Sequence, residues 1–281
     1  MGRSTRLAVA VTSSVAGVGV TAVALREMLR RQAAVARRRI GKPLGELAPN
    51  ADRVWRRSLE GTPVELLLLG DSIAAGLGAE RRKDTLGARL AKSLARRTRR
   101  PVRLRTAAVV GSESSALSPQ LDGLPADYTP DLAIIIVGGN DVTHRIPLTV
   151  STGHLTDAIQ RLRDRGAAVV VVTCPDLRAL RAVPQPLRSL ASRLSRQLAS
   201  AQAEAALAAG ALVFSLRRTV GPMFLSEPEE MFSLDRFHPS ALGYRRTADA
   251  LLPVALDALG LDVHGNPDAH PPSAAITLPV A

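Results

Sequence analysis

Three side chains have the types and spacing needed for nucleophilic attack on a carbonyl carbon. Ser72 follows the apolar run Val64 to Leu69 in the turn Gly70-Asp71-Ser72, and His238 lies three residues after Asp235. An acid bonded to one imidazole nitrogen fixes the tautomer and leaves the other nitrogen to take a proton from a serine hydroxyl. Ser72, His238 and Asp235 are therefore the candidate nucleophile, base and orienting acid.

Two more groups could stabilise the oxyanion that such an attack creates. Asn140, in Gly138-Gly139-Asn140-Asp141, can donate a hydrogen bond from its side chain. Gly111 exposes a backbone N–H with no Cβ in the way. With the Ser72 amide these make three candidate donors, each worth about 10²–10³ in rate when well aimed. Asp71 and Asp141 are interpreted as structural.

Each of these features has a simpler structural explanation when it is taken alone. Asp and Ser are favoured at helix N-caps, and an Asp just before a helix is often such a cap. A glycine after an apolar run is most often part of a turn. The hypothesis of a catalytic site depends on the features occurring together.

The elements that must position these residues follow from alternating apolar runs and helical patterns. The runs predict five strands, at residues 64–69, 102–110, 132–137, 168–173 and 211–214. Helical spacing predicts helices at 84–97, 155–163, 187–209 and 241–259. This alternation predicts right-handed crossovers and a three-layer α/β/α sandwich. Ser72, Gly111 and Asn140 would then follow strands at the carboxyl edge, where open α/β sheets bind ligands.

The amino-terminal segment has the features of a membrane anchor or an export signal. Leu7 to Leu25 contains no charged residue and, as a helix, would span about 28 Å, close to a bilayer core. Ala22-Val23-Ala24 resembles a cleavage site, so a cleaved signal is the alternative to the favoured uncleaved anchor. The carboxyl side of the segment is the more basic, which predicts that it stays cytoplasmic and conflicts with export.

The rest of the chain divides into three predicted parts. Residues 26–61 form a basic linker, helical from about Arg26 to Arg39, that either lies on anionic lipid headgroups or is a solvated stalk. Residues 62–262 form the predicted globular domain. Residues 263–281 contain several prolines and form a predicted disordered tail.

Composition excludes several other functions. The single Cys174 rules out an intramolecular disulfide and a cysteine-based zinc cluster. The net charge of +12 arises mainly from residues 1–60, which carry twelve basic and four acidic residues. Aromatic residues make up only 2% of the chain, so few side chains could stack on bases, and we do not expect a nucleic-acid partner.

Taken together, these motifs resemble the SGNH (GDSL-type) hydrolase family. Gly70-Asp71-Ser72, Gly111, Gly139-Asn140-Asp141 and Asp235-Arg236-Phe237-His238 match its four signature blocks in order. The resemblance covers about residues 62–262 and implies a flavodoxin-like sandwich with a mostly parallel sheet, no metal and no organic cofactor. One departure is Ala74-Ala75 after Ile73, where the family often has a hydroxyl residue.

The resemblance implies hydrolysis of an ester, through an acyl-enzyme on Ser72, with a small-molecule, lipid or sugar ester as substrate. Acyl transfer to a sugar or lipid, or deacetylation, is an alternative, and a non-catalytic membrane-surface protein is a weaker one. Phe224 and Met231 belong to an apolar, irregular stretch at residues 221–232 that either lines an acyl pocket or packs the edge of the sandwich.

Overall fold

The computed structural model describes residues 23–262. Of the predicted anchor segment, only the last three residues are among those described. The predicted disordered tail at residues 263–281 lies outside the described residues. Within residues 23–262, no helix is both long enough and apolar enough to cross a membrane.

The described chain alternates strands and helices over most of its length. The strands are β1 (Arg53–Trp55), β2 (Val64–Gly70), β3 (Val102–Thr106), β4 (Leu132–Ile136), β5 (Ala168–Val172) and β6 (Leu212–Phe214). The longer helices are α1 (23–40), α3 (Leu86–Thr98), α6 (Leu148–Asp164), α7 (Leu187–Ala208) and α11 (Ala241–Ala258). The shorter helices are α2 (Ser72–Ala75), α4 (Leu117–Asp122), α5 (Gly139–His144), α8 (Leu216–Thr219), α9 (Gly221–Ser226) and α10 (Pro228–Met231).

The strands form a six-stranded sheet in the order β1-β3-β2-β4-β5-β6. Strands β2 to β6 run parallel, and β1 pairs antiparallel with β3 at one edge. Helices cover both faces of the sheet, which confirms the predicted three-layer α/β/α sandwich with a mostly parallel sheet. Because parallel strands end at the same edge, the segments that follow β2, β3 and β4 lie side by side.

The apolar run of β2 has no alternation because both of its faces are buried. Leu66 and Leu68 pack in the cluster that includes α3 and α11, whereas Leu67 and Leu69 pack in the cluster that includes α4 and α6. All four leucines have no exposed surface. A central parallel strand covered by helices on both sides is expected to read as a continuous apolar run.

The sheet has one strand more than the five predicted, because Arg53–Trp55 lies in the stretch that was predicted to be linker. Trp55 is paired with Val102 of β3, and Ala51, just before the strand, is buried in the core. A strand of three residues is too short to show a hydrophobic period, so the sequence pattern carries no signal for it. The globular unit therefore begins before residue 62.

Helix α1 covers the predicted helical part of the linker and contacts the sandwich. Gln32 Nε2 donates to the Gln185 carbonyl at 2.5 Å, and Gln32 Oε1 accepts from the Leu187 amide at 2.9 Å. Ala36 on the same helix is only 6% exposed. These contacts place α1 beside the start of α7.

Candidate active site

Ser72 is the first residue of α2, directly after the end of β2. The preceding Asp71 is the N-cap, and its Oδ1 accepts a hydrogen bond from the Ile73 amide at 3.0 Å. Gly70 has φ +123°, and a Cβ there would lie 1.8 Å from the Ile136 carbonyl oxygen, so only glycine fits this close approach. Asp71 thus fills the capping role, and the Ser72 hydroxyl is left for another partner.

That partner is His238. The Ser72 Oγ lies 2.9 Å from His238 Nε2, and His238 Nδ1 lies 2.5 Å from Asp235 Oδ2. An ionised carboxylate can only accept a hydrogen bond, so it holds the proton on Nδ1. Nε2 is then unprotonated and accepts from the Ser72 hydroxyl. The three residues that the sequence singled out are therefore joined in one hydrogen-bonded chain.

The carboxylate of Asp235 is kept ionised by its own loop. Burial alone would raise the pKa of Asp235. Hydrogen bonds from the His238 ring and from the His238 and Phe237 amides, together with the His238 charge, outweigh this effect, so the pKa of Asp235 is lowered. The two amides lie 3.0 and 2.9 Å from Oδ1. One carboxylate oxygen thus orders the loop while the other orients the imidazole.

The loop that carries His238 is held against α2 by a glycine that the sequence reading missed. Gly78 has φ +106°, and a Cβ there would lie 2.3 Å from the Pro239 carbonyl oxygen and 3.0 Å from His238 Cβ. On the other side of the loop, Ser240 caps α11 by accepting from the Leu242 and Gly243 amides. The close approach at Gly78 sets the distance between the serine and histidine segments.

The Asn140 side chain lies on α5 at the same edge of the sheet. Its Nδ2 donates to the Ser112 carbonyl at 2.8 Å, and the second hydrogen of this amide group is available to a ligand. Asn140 and Ser72 both line a cavity that also contains His238. The structure therefore brings Asn140 to the serine.

Gly111 lies in a turn with φ +83°, five residues after the end of β3. The strand is shorter than predicted, but the Ala107 and Val109 amides still bond the Leu68 and Gly70 carbonyls of β2. These bonds lead the chain along β2 towards the Ser72 turn. Gly111 does not line the cavity, although Ser112, the next residue, accepts the bond from Asn140.

Asp141 holds the Gly111 turn and the start of α5 together. It is 1% exposed, and its carboxylate accepts bonds from the Ser114 hydroxyl at 2.5 Å and the Ser114 amide at 3.1 Å. The geometry therefore gives Asp71 and Asp141 the structural positions that the sequence indicated, one as a helix cap and the other as a tether.

The cavity beside Ser72 has a mostly apolar lining. Its apolar walls come from the loop after β5 and from α8 and α9, and include Leu177, Leu180, Leu216, Val220, Phe224, Leu225, Phe232 and Phe237. Phe224 is thus placed in the cavity wall. Met231 is buried, at 1% exposed, and is not among the lining residues, so the structure does not support a direct substrate contact for Met231.

Gln120 is a further residue that the sequence reading missed. It is buried on α4, where it bonds both backbone groups of Gly70. Nothing in the local pattern around Gln120 signals this contact, because its partner lies 50 residues away.

No group of three His, Cys, Asp or Glu side chains that could hold a metal ion occurs among residues 23–262.

Comparison with known proteins identifies the family. Residues 68–246 match the model of the GDSL-like lipase/acylhydrolase family. A GDSL-like esterase of Mycobacterium tuberculosis is 39% identical over 270 residues, which cover 92% of this chain and 85% of that protein.

Solved structures agree on the fold. An acetylxylan esterase from Geobacillus stearothermophilus is 18% identical with a TM-score of 0.55, covering 72% of this chain and 96% of the other. An extracellular lipase from Streptomyces rimosus is 18% identical with a TM-score of 0.53, covering 69% of this chain and 99% of the other. On the family match and the identity to the mycobacterial protein, this chain belongs to the GDSL-like lipase/acylhydrolase family and is an ester-hydrolysing enzyme.

Proposed function

We propose that the protein is a serine esterase that cleaves carboxylic esters through a covalent acyl-enzyme on Ser72. The observation that carries the proposal is the hydrogen-bonded chain from Ser72 Oγ through His238 to Asp235. Nucleophile, base and orienting acid are each within hydrogen-bond distance of the next, which is the geometry that this chemistry requires.

In the first half of the reaction, Ser72 Oγ forms a bond to the ester carbonyl carbon while its proton moves to His238 Nε2. Asp235 stabilises the imidazolium without taking the proton. The oxyanion is held by the Ser72 amide and by Asn140 Nδ2, and the Gly111 amide stays a third donor expected from the sequence, since Gly111 does not line the cavity. Within the described residues, neither of these two amides donates to another backbone or side-chain acceptor, so both are available.

Collapse of the tetrahedral intermediate breaks the bond to the alcohol, which leaves with the proton from His238. Water then gives a proton to His238 Nε2 and attacks the acyl carbon, and the carboxylic acid is released as Ser72 regains its proton. No metal or redox step is needed for the balance of atoms and electrons.

The apolar cavity supports an acyl group with a hydrocarbon chain as the preferred substrate. Burying a methylene in such a wall contributes about 0.8 kcal/mol, so each added carbon that enters the cavity should favour binding. Phe224 forms part of this wall and contacts Phe232 edge-to-face, with ring centroids 4.9 Å apart.

Labelling with a fluorophosphonate probe tests the proposed nucleophile directly. The wild-type protein should be labelled at Ser72, and Ser72→Ala should remove both the label and turnover of p-nitrophenyl acetate. Ser233→Ala, which removes a hydroxyl from the His238 loop, is the matched control and should label as wild type does. Near-normal turnover by Ser72→Ala would contradict the proposal.

Membrane anchoring through residues 7–25 stays a prediction from the sequence. Its test is the protease accessibility of a C-terminal tag in intact cells, which also reports the side of the membrane.

Addition of a sugar or lipid hydroxyl acceptor to the assay, followed by product analysis, distinguishes hydrolysis from acyl transfer.

A further inference from the structure

A second concave site lies on the outer face of the α3–α11 layer, away from the cavity at Ser72. It shares no residue with the apolar cavity. We call it the cationic cavity, and it is lined by Arg56, Arg89, Lys92, Ser93, Arg96, Arg245 and Asp249.

Helical spacing brings these cations together from separate parts of the chain. On α3, Arg89, Lys92 and Arg96 are three and four residues apart, which puts them on one face of the helix. Helix α11 packs against α3 and adds Arg245, and the turn after β1 adds Arg56. Five basic side chains from three segments therefore converge on one concavity.

The acids near the cationic cavity balance only part of these charges, since Asp84 neutralises Arg89 but leaves the other four lining cations. Asp84 is already paired with Arg81 at 2.9 Å and with Arg89 at 2.5 Å. Asp249 is the single acidic residue in the lining. Burial, followed by the charge of Arg89, lowers the pKa of Lys92, with Lys83 and Arg56 adding to the effect and Asp84 opposing it. The cations thus repel one another, and a bound anion would relieve that repulsion.

Donors in the cationic cavity are available to such an anion. Arg89 contributes charge and not a free donor, because its Nη2 is held by Asp84 at 2.5 Å and its Nε is buried. Arg96 and Arg245 are exposed on the two facing helices. Guanidinium groups offer paired N–H donors that match the oxygens of a phosphate, and several of them around one concavity suit a multiply charged tetrahedral group.

We propose that the cationic cavity binds a phosphate group, as a site separate from the ester-cleaving centre. The group is carried either by a soluble phosphate compound or by the headgroup of an anionic phospholipid, since both present the same charged oxygens to the exposed Arg96 and Arg245. The proposal does not depend on the role of Ser72.

The experiment compares two variants of the full chain that lose the same charge. Arg96→Gln/Arg245→Gln neutralises one cation on each helix of the cationic cavity. Arg193→Gln/Arg196→Gln neutralises two exposed cations on α7, outside the cationic cavity, and is the matched control. Turnover of p-nitrophenyl acetate should be unchanged in both, which shows that both are folded.

Binding is measured with pyrophosphate by calorimetry and with vesicles of phosphatidylglycerol against phosphatidylcholine by sedimentation. The proposal expects the cationic-cavity variant to lose at least about tenfold in affinity for one of these phosphate probes, with the α7 control close to wild type. Loss for pyrophosphate identifies a soluble ligand, and loss for phosphatidylglycerol alone identifies a lipid headgroup. Equal losses in both variants, or no loss in either assay, would overturn the proposal.

Discussion

Gln120 bonds both backbone polar groups of Gly70, accepting from its N–H through Oε1 and donating to its C=O through Nε2, each at 2.8 Å. Gly70 is two residues before Ser72 and is the last residue of β2. Nε2 also lies 3.5 Å from Ser112 Oγ, beside the Gly111 turn. One buried side chain thus links the backbone that leads to the nucleophile with the segment that carries a proposed oxyanion donor.

Replacing Gln120 should reduce both stability and catalysis. Gln120→Leu leaves the Gly70 N–H without its partner in a buried place, which costs on the order of 1–3 kcal/mol of unfolding free energy. Because the loss loosens the turn before Ser72 and not the apolar cavity, kcat for p-nitrophenyl acetate should fall more than KM rises.

Gln120→Glu is the conservative comparison, because it keeps the acceptor for Gly70 N–H and, with its buried carboxyl protonated, also keeps a donor for Gly70 C=O. It should retain more of the wild-type kcat than Gln120→Leu does. Urea unfolding and steady-state kinetics measure the two effects, and a Gln120→Leu protein with wild-type kcat would show that Gln120 does not position the turn.

Gly78 should be required for the distance between Ser72 and His238. In Gly78→Ala the new methyl group would collide with the Pro239 carbonyl and press on His238 Cβ, so the histidine loop must move. A displacement of the base by about 1 Å can cost on the order of 10² in rate. We expect kcat for p-nitrophenyl acetate to fall by about that factor.

Gly166→Ala is the control that distinguishes the effect of the collision at Gly78 from the effect of backbone strain. Gly166 also has positive φ, +80°, but a Cβ there meets nothing within 4 Å. It should lose about 1–2 kcal/mol of unfolding free energy from the left-handed backbone and keep its activity. If both alanine variants lost activity alike, strain and not the contact with the His238 loop would be the cause.

The predictable parts of this site are those with a local signature. Asp235 and His238 are three residues apart, and Ser72 follows a buried apolar run, so short-range patterns indicated them. Gln120 and Gly78 act on partners 50 and about 160 residues away, respectively, and no local pattern marks such contacts.

Neither the outer strand β1 nor the lining of the apolar cavity has a local sequence pattern that would predict it. Strand β1 is defined by its pairing with β3 and not by a hydrophobic period, so it was missed. In residues 221–232 the apolar residues follow no regular spacing, and only packing decides that Phe224 faces the cavity while Met231 faces the core.

The buried Asp71 should make stability fall as the pH rises through the weakly acidic range. Burial raises the pKa of Asp71 from 3.8 to about 7, with the charge of Asp141 adding to the shift and the Ile73 and Gly139 amides and the charge of His238 opposing it. Between these two pKa values the folded protein holds a proton that the unfolded chain has lost, so raising the pH removes stability.

Asp71→Asn keeps a capping side chain but cannot ionise. The unfolding free energy of the variant minus that of wild type should increase by about 4 kcal/mol between pH 4 and pH 8, at 1.36 kcal/mol per unit of pKa shift. Urea unfolding across this range measures the difference, and Asp127→Asn, which removes an exposed carboxylate, controls for the loss of charge. A difference that did not change with pH would show that Asp71 does not gain a proton on folding.

Phe224 should set the preference for long acyl chains. Phe224→Ala removes a large apolar surface from the cavity wall, and loss of that contact should lower kcat/KM for p-nitrophenyl octanoate about tenfold. The acetyl group is too short to use the wall, so the rate with p-nitrophenyl acetate should stay within about twofold. Met231→Leu, a volume-conserving change at a buried position outside the lining, should leave the ratio of the two rates unchanged. Equal loss with both esters in Phe224→Ala would mean that Phe224 supports the fold of α9 instead of the acyl chain.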